Sequence, residues 1–98
     1  MERNKIQKDI RHIIARTIPS ERQVESFLFG SFVRERHFHD IDVGLLGATA
    51  REVAKTREEF EESRFPFKVD VIDFSKAEKE FKEKVFQDGV VWLTKKKK

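Results

Sequence analysis

The chain has 98 residues, enough for one small domain that buries roughly 60 to 68% of its unfolded surface and too few for a second. Charged residues make up 40% of it beside ten Phe, one Trp and no Cys, which fits a globular protein with a solvated exterior and excludes disulfides and thiolate metal sites. The net charge of +3 leans on four terminal lysines and no apolar run nears the roughly 18 residues of a membrane span, so neither nucleic acid nor a bilayer is the expected partner.

Ile6, Ile10, Ile13 and Ile14 recur at helical spacing, which predicts an amphipathic packing helix over residues 3 to 17 that stops before Pro19. The opening Met1-Glu2-Arg3-Asn4-Lys5 lacks the apolar stretch of a signal peptide, and the cytoplasm is the expected location. Ser26-Phe27-Leu28-Phe29, a short apolar run ended by Gly30, has the pattern of a buried strand entering a turn, and Phe32-Val33-Arg34-Glu35 begins a short helix. Asp40 to Leu46 reads as the second strand, closed by Gly47.

Thr49 and Glu52 are spaced as a capping box, and Ala50, Val53, Ala54 and Phe60 give the next helix an apolar stripe until Pro66 breaks it. Arg51, Lys55, Arg57, Glu58, Glu59, Glu61 and Glu62 read as its solvated face. Phe67 to Phe74 is the third strand, with Asp70, Ile72 and Phe74 on one face and Val69, Val71 and Asp73 on the other. Ser75 and Glu78 suggest a second capping box, with Ala77, Phe81 and Val85 carrying a helix toward Gly89. Val90-Val91-Trp92-Leu93 is a short last strand or a packed tail anchored by Trp92, and Lys95-Lys96-Lys97-Lys98 is expected to be a disordered basic end. The interleaving implies an α/β (α+β) domain with a mixed sheet and helices mainly on one side.

The chemistry concentrates in Asp40-Ile41-Asp42. On a strand both carboxylates point one way while Ile41 and Val43 point into a core. Paired like charges resist joint ionisation, so such a pair shares a proton or binds a cation. Hard oxygen ligands suit Mg²⁺, which takes one or two carboxylates plus substrate phosphate oxygens. If the Asp70 strand lies alongside in compatible register, three carboxylates converge, enough for two divalent ions poised for in-line displacement at phosphorus. Upstream, Gly30 permits close backbone approach to a phosphate, Ser31 adds a hydroxyl donor, and Arg34 is placed to reach phosphate or brace the loop. His37 and His39 alternate onto one face near Asp40; without Cys or more His they read as a solvated loop rather than a zinc site.

This ordered set, Phe-Gly-Ser, an Arg, Asp-Ile-Asp-Val and then Val-Asp-Val, resembles the DNA polymerase beta-like nucleotidyltransferase superfamily. It is most similar to the minimal nucleotidyltransferases, small stand-alone members often paired as antitoxins with a helical HEPN protein. The resemblance runs from about Phe27 through Gly89, where Phe86-Gln87-Asp88-Gly89-Val90 is similar to the closing segment of that family. It implies ATP and Mg²⁺ binding and AMP transfer to a hydroxyl, a tyrosine of the HEPN toxin in the paired type. Asp40, Asp42 and Asp70 would be catalytic and metal-binding, and Gly30, Ser31 and Arg34 nucleotide-binding. The chain departs from the pattern with Glu35 where a glycine is common and His39 where a serine is common. These departures motivate the alternative of a catalytically weakened module that neutralises a HEPN partner by occlusion. A partner or self-association is expected in either case, since so small a domain needs something to complete its cleft.

Overall fold

The computed structural model describes residues 2–94; the Lys95–Lys98 run expected to be a disordered end lies outside them. Helix α1 spans Arg3–Thr17 and buries Ile6, Ile10, Ile13 and Ile14, the four positions of its apolar stripe. It ends at Ile18, whose extended backbone (φ −128°, ψ 107°) is what a residue before proline favours. Strand β1 (Glu25–Phe29), helix α2 (Ser31–Arg34) and strand β2 (Asp40–Leu46) follow, then helix α3 (Ala50–Glu62), strand β3 (Lys68–Asp73), helix α4 (Lys79–Asp88) and strand β4 (Val91–Trp92).

The four strands form one mixed sheet in the order β3-β2-β1-β4. β1 runs antiparallel to β2 and β4, and β2 runs parallel to β3. A parallel pair needs a crossover, and α3 supplies it. On one face Ile41, Val43 and Leu45 of β2, all fully buried, pack with Val71 against the isoleucines of α1 and Val53 and Phe60 of α3. On the other face Phe27, Phe29 and Phe74 gather with Val85 of α4. The two long helices thus share one side, as expected, while α4 lies on the opposite one. Leu28 and Phe27 point to opposite faces and are both fully buried, which is why β1 reads as an unbroken apolar run.

Three local expectations change. The capping box of α3 forms, with Glu52 N–H donating to Thr49 Oγ at 3.1 Å and Thr49 N–H to Glu52 Oε1 at 2.9 Å. Its buried line, however, is Val53, Thr56 and Phe60, while Ala50 and Ala54 face solvent. Thr56 tolerates burial because its hydroxyl bonds the Glu52 carbonyl at 2.8 Å and meets the Thr17 hydroxyl at 2.8 Å.

The second capping box does not form. Phe74–Lys76 make a 3₁₀ turn, α4 begins only at Lys79, and Ser75 Oγ instead accepts from Gly47 N–H at 2.9 Å, tying the ends of β2 and β3 together. Phe74 correspondingly leaves the strand, which ends at Asp73. Third, Phe81 is not buried in the α4 stripe but 44% exposed. The last segment is a short strand: Trp92 pairs with Phe27 and its ring stacks on Phe86 at 5.9 Å, anchoring the chain end as expected.

Candidate active site

The β2–β3 register sets the site. Asp42 lies directly opposite Asp70, and Asp40 opposite Lys68. Paired residues on neighbouring strands share a face, so Asp40, Asp42 and Asp70 all project from the α4 side of the sheet, half-buried. Phe29 of β1 flanks Asp42 on its other side. Asp73 pairs with Leu45 on the opposite face, as alternation requires.

Burial first, then the charges of Asp70 and Asp40, push the Asp42 carboxyl above its ordinary range. Asp42, at the centre, therefore feels the charges of both other acids. Among the described residues no three His, Cys, Asp or Glu side chains are gathered tightly enough to hold a metal ion. A bound cation would offset the mutual repulsion of the three acids. The donor set, all hard carboxylate oxygens, fits a divalent ion such as Mg²⁺.

Gly30 supplies the second part of the site. It precedes α2 with φ +79° and ψ −150°, a region open to glycine, and a Cβ built on it would fall 2.4 Å from Asp42 Oδ2. The turn thus rests against the central carboxylate, and the missing side chain keeps that oxygen accessible. Ser31 follows, its hydroxyl donating to the Asp40 carbonyl at 3.4 Å, so the turn is tied to β2 next to both acids. Arg34 is placed differently: its guanidinium pairs with Asp88 at the end of α4 at 3.4 Å, while Lys84 approaches the same carboxylate at 3.5 Å. Of the two roles expected for it, the structure displays the bracing one.

A groove of about 810 Å³ at the β3 edge is lined by Asp42 and Asp70, by Phe29 and Phe81, by Lys68, and on the α3 side by Phe60, Phe65 and Phe67. β3 is an edge strand, and Arg57 of α3 caps it by donating from Nε to the Val71 carbonyl at 3.0 Å. Read from sequence, Arg57 belonged to a solvated face; its reach to an edge carbonyl is a tertiary contact that spacing does not reveal.

Arg3 is the other contributor that sequence reading missed. Its guanidinium donates to the carbonyls of Phe32, Glu35 and Arg36 and lies 4.7 Å and 5.2 Å from the ring centres of Phe32 and Phe38. It fastens the loop joining α2 to Asp40, with His37 and His39 exposed on its outside. Lys68 was also not singled out, although alternation alone would have placed it two residues before Asp70 on the same face.

With a turn resting on a central carboxylate and two further acids on its face, the chain is matched over residues 8–98 by a family model described as polymerase beta, nucleotidyltransferase. The chain belongs to that family. A search among curated proteins found no match. As a polymerase beta nucleotidyltransferase domain, it has nucleotidyl transfer as its general chemistry, and the family generally uses a nucleoside triphosphate and a divalent metal. The matched span includes all four strands and every residue of the groove, while Arg3 lies before it. Among the described residues no helix is long and apolar enough to cross a membrane.

Proposed function

We propose that the chain transfers AMP from ATP to a hydroxyl acceptor, with Asp40, Asp42 and Asp70 as its catalytic and metal-holding residues. The observation that carries this reading is the Asp42–Asp70 pairing with Gly30 against Asp42: it joins a shared carboxylate face to a turn whose backbone can approach phosphate. Gly30 and Ser31 receive the triphosphate in this reading. Arg34 contributes by holding the turn against α4.

The acceptor oxygen attacks the α-phosphorus, the bond from that phosphorus to the bridging oxygen breaks, and pyrophosphate leaves. Asp70 takes the proton of the acceptor hydroxyl. Asp40, Asp42 and Asp70 would hold a divalent ion such as Mg²⁺, which when bound would supply charge neutralisation on the phosphates and activation of the attacking hydroxyl. Burial, then the charges of Asp70 and Asp40, hold Asp42 above its ordinary pKa, and a bound cation would favour its ionised form.

The acceptor is a tyrosine of a HEPN-type partner in an antitoxin pairing, in line with the resemblance to the small stand-alone members. The test is incubation with α-labelled ATP, Mg²⁺ and the candidate partner: label moves to the partner with the native chain and not with the double substitution Asp40→Asn, Asp42→Asn. Undiminished transfer by the double variant would refute the mechanism.

One arrangement favours the second reading, occlusion of the partner without efficient catalysis: Arg34 engages Asp88, and Glu35 stands where a glycine is common. It requires a stable complex that survives loss of all three acids. A pull-down in which the acid-less protein no longer captures the partner would exclude it.

A further inference from the structure

The groove is lined in part by an aromatic ring that packing alone does not account for. Phe81 is 44% exposed, whereas the two rings beneath it, Phe29 and Phe74, are 6% and 0% exposed. Its centroid lies 6.2 Å from Phe29, nearly perpendicular at 80°, and 5.6 Å from Phe74 at 48°. Two buried rings therefore set its orientation from below and leave its outer surface to the groove that contains Asp42 and Asp70. Phe29, the farther of the two supports, is the cross-strand neighbour of Asp42, so one side chain separates the ring from that acid.

We propose that Phe81 is the platform on which the nucleobase of the bound nucleotide stacks, and that it positions the nucleotide relative to the acids. The proposal rests on the nucleotidyl-transfer reading of Asp40, Asp42 and Asp70. With phosphates at the acids and Gly30, a nucleotide lying in the groove can bring its base over Phe81, the most exposed of the rings that line it. An exposed, orientation-locked aromatic suits this use, because stacking needs a flat apolar surface and tolerates any base. Selectivity among nucleotides would then come from ring overlap, favouring purines.

Phe86 provides an internal control. It sits on the same helix, is 37% exposed, and packs on Phe27, Phe74 and Trp92 without lining the groove. Its removal disturbs the same aromatic layer and leaves the groove wall in place.

Calorimetric titration with Mg²⁺ present, using ATP and inorganic tripolyphosphate as separate probes, tests this directly. Phe81→Ala should weaken ATP about 5- to 150-fold, the range for loss of one base–aromatic stack, and leave tripolyphosphate binding unchanged. Phe81→Trp should retain or tighten ATP, and Phe86→Ala should change neither probe. Equal ATP affinity in Phe81→Ala and native protein overturns the proposal, as does a parallel loss for both probes or an equal ATP loss in Phe86→Ala. Native protein that binds neither probe with Mg²⁺ would overturn the reading of the acids, and this one with it.

Discussion

Replacing Gly30 by Ala measures how closely the turn rests on the Asp42 carboxylate. Two costs are separable. At φ +79° and ψ −150° a side chain is strained, at about 1–3 kcal/mol. The added Cβ would also stand 2.4 Å from Asp42 Oδ2 and 3.4 Å from Asp42 Cγ, and such overpacking costs about 1–3 kcal/mol more. Together they remove roughly 2–6 kcal/mol, which for a domain of this length lowers Tm by at least about 8 °C. Gly47→Ala isolates the first cost, since Gly47 has φ +86° and open space around it. Asp42→Ala isolates the second by deleting the carboxyl group that the Cβ would strike. In a double-mutant cycle by urea denaturation at pH 7, Gly30→Ala should therefore cost about 1–3 kcal/mol less in the Asp42→Ala background than in the native one. If the two changes add to within about 0.5 kcal/mol, the turn does not rest on Asp42 and the account of the site is wrong.

The remaining expectations concern charge and the loop. Because burial, Asp70 and Asp40 raise the Asp42 pKa, the stability its neutral form contributes is full below the ordinary value of 3.8 and lost as pH rises through the folded value. Asp42→Asn should thus be more stable than native protein at pH 7 while losing nucleotidyl transfer, and lower stability in urea at pH 7 would contradict this. Glu52 behaves oppositely: its hydrogen bonds from Arg22, at 2.7 Å, and from the Thr49 backbone lower its pKa from 4.5 to about 2, so its contribution is present above 4.5 and lost as pH falls through about 2. The acid-side decline of Tm should be shallower in Glu52→Gln, and superimposable native and variant profiles would show that the Arg22 pairing adds nothing. Arg3→Lys removes a planar donor that bridges the Phe32, Glu35 and Arg36 carbonyls, and should cost about 1–3 kcal/mol and speed amide exchange across residues 35–39. Unchanged exchange there would mean the loop holds itself.

What sequence revealed and what it hid divide along a physical line. Alternation is a property of one strand, so the common face of Asp40 and Asp42, and the separation of Asp70 from Asp73, could be read before any pairing was known. The Ile stripe of α1 and the capping box of α3 are likewise short-range, and both formed. Contacts between distant segments were hidden. Ser75 reads locally as a cap, yet Gly47, 28 positions earlier, takes its oxygen and delays α4 to Lys79. Arg3 looks like a surface residue of a packing helix until the loop some 29–33 positions later folds beneath it.

The same division decides how much of the site was legible. Each acid could be assigned to a face, but a parallel register has no connecting turn short enough to specify it, and a slip of one residue between β2 and β3 would put Val69 or Val71 beside Asp42. That slip would also bury Asp70 against α3 and expose valines, because Val71 is 3% exposed and packs in the helical layer. Core burial on one face therefore enforces carboxylate pairing on the other. The burial and neighbouring charges that raise the pKa of Asp42 are held in place by apolar contacts on the opposite face, which is how so small a sheet can keep three repelling acids on one face.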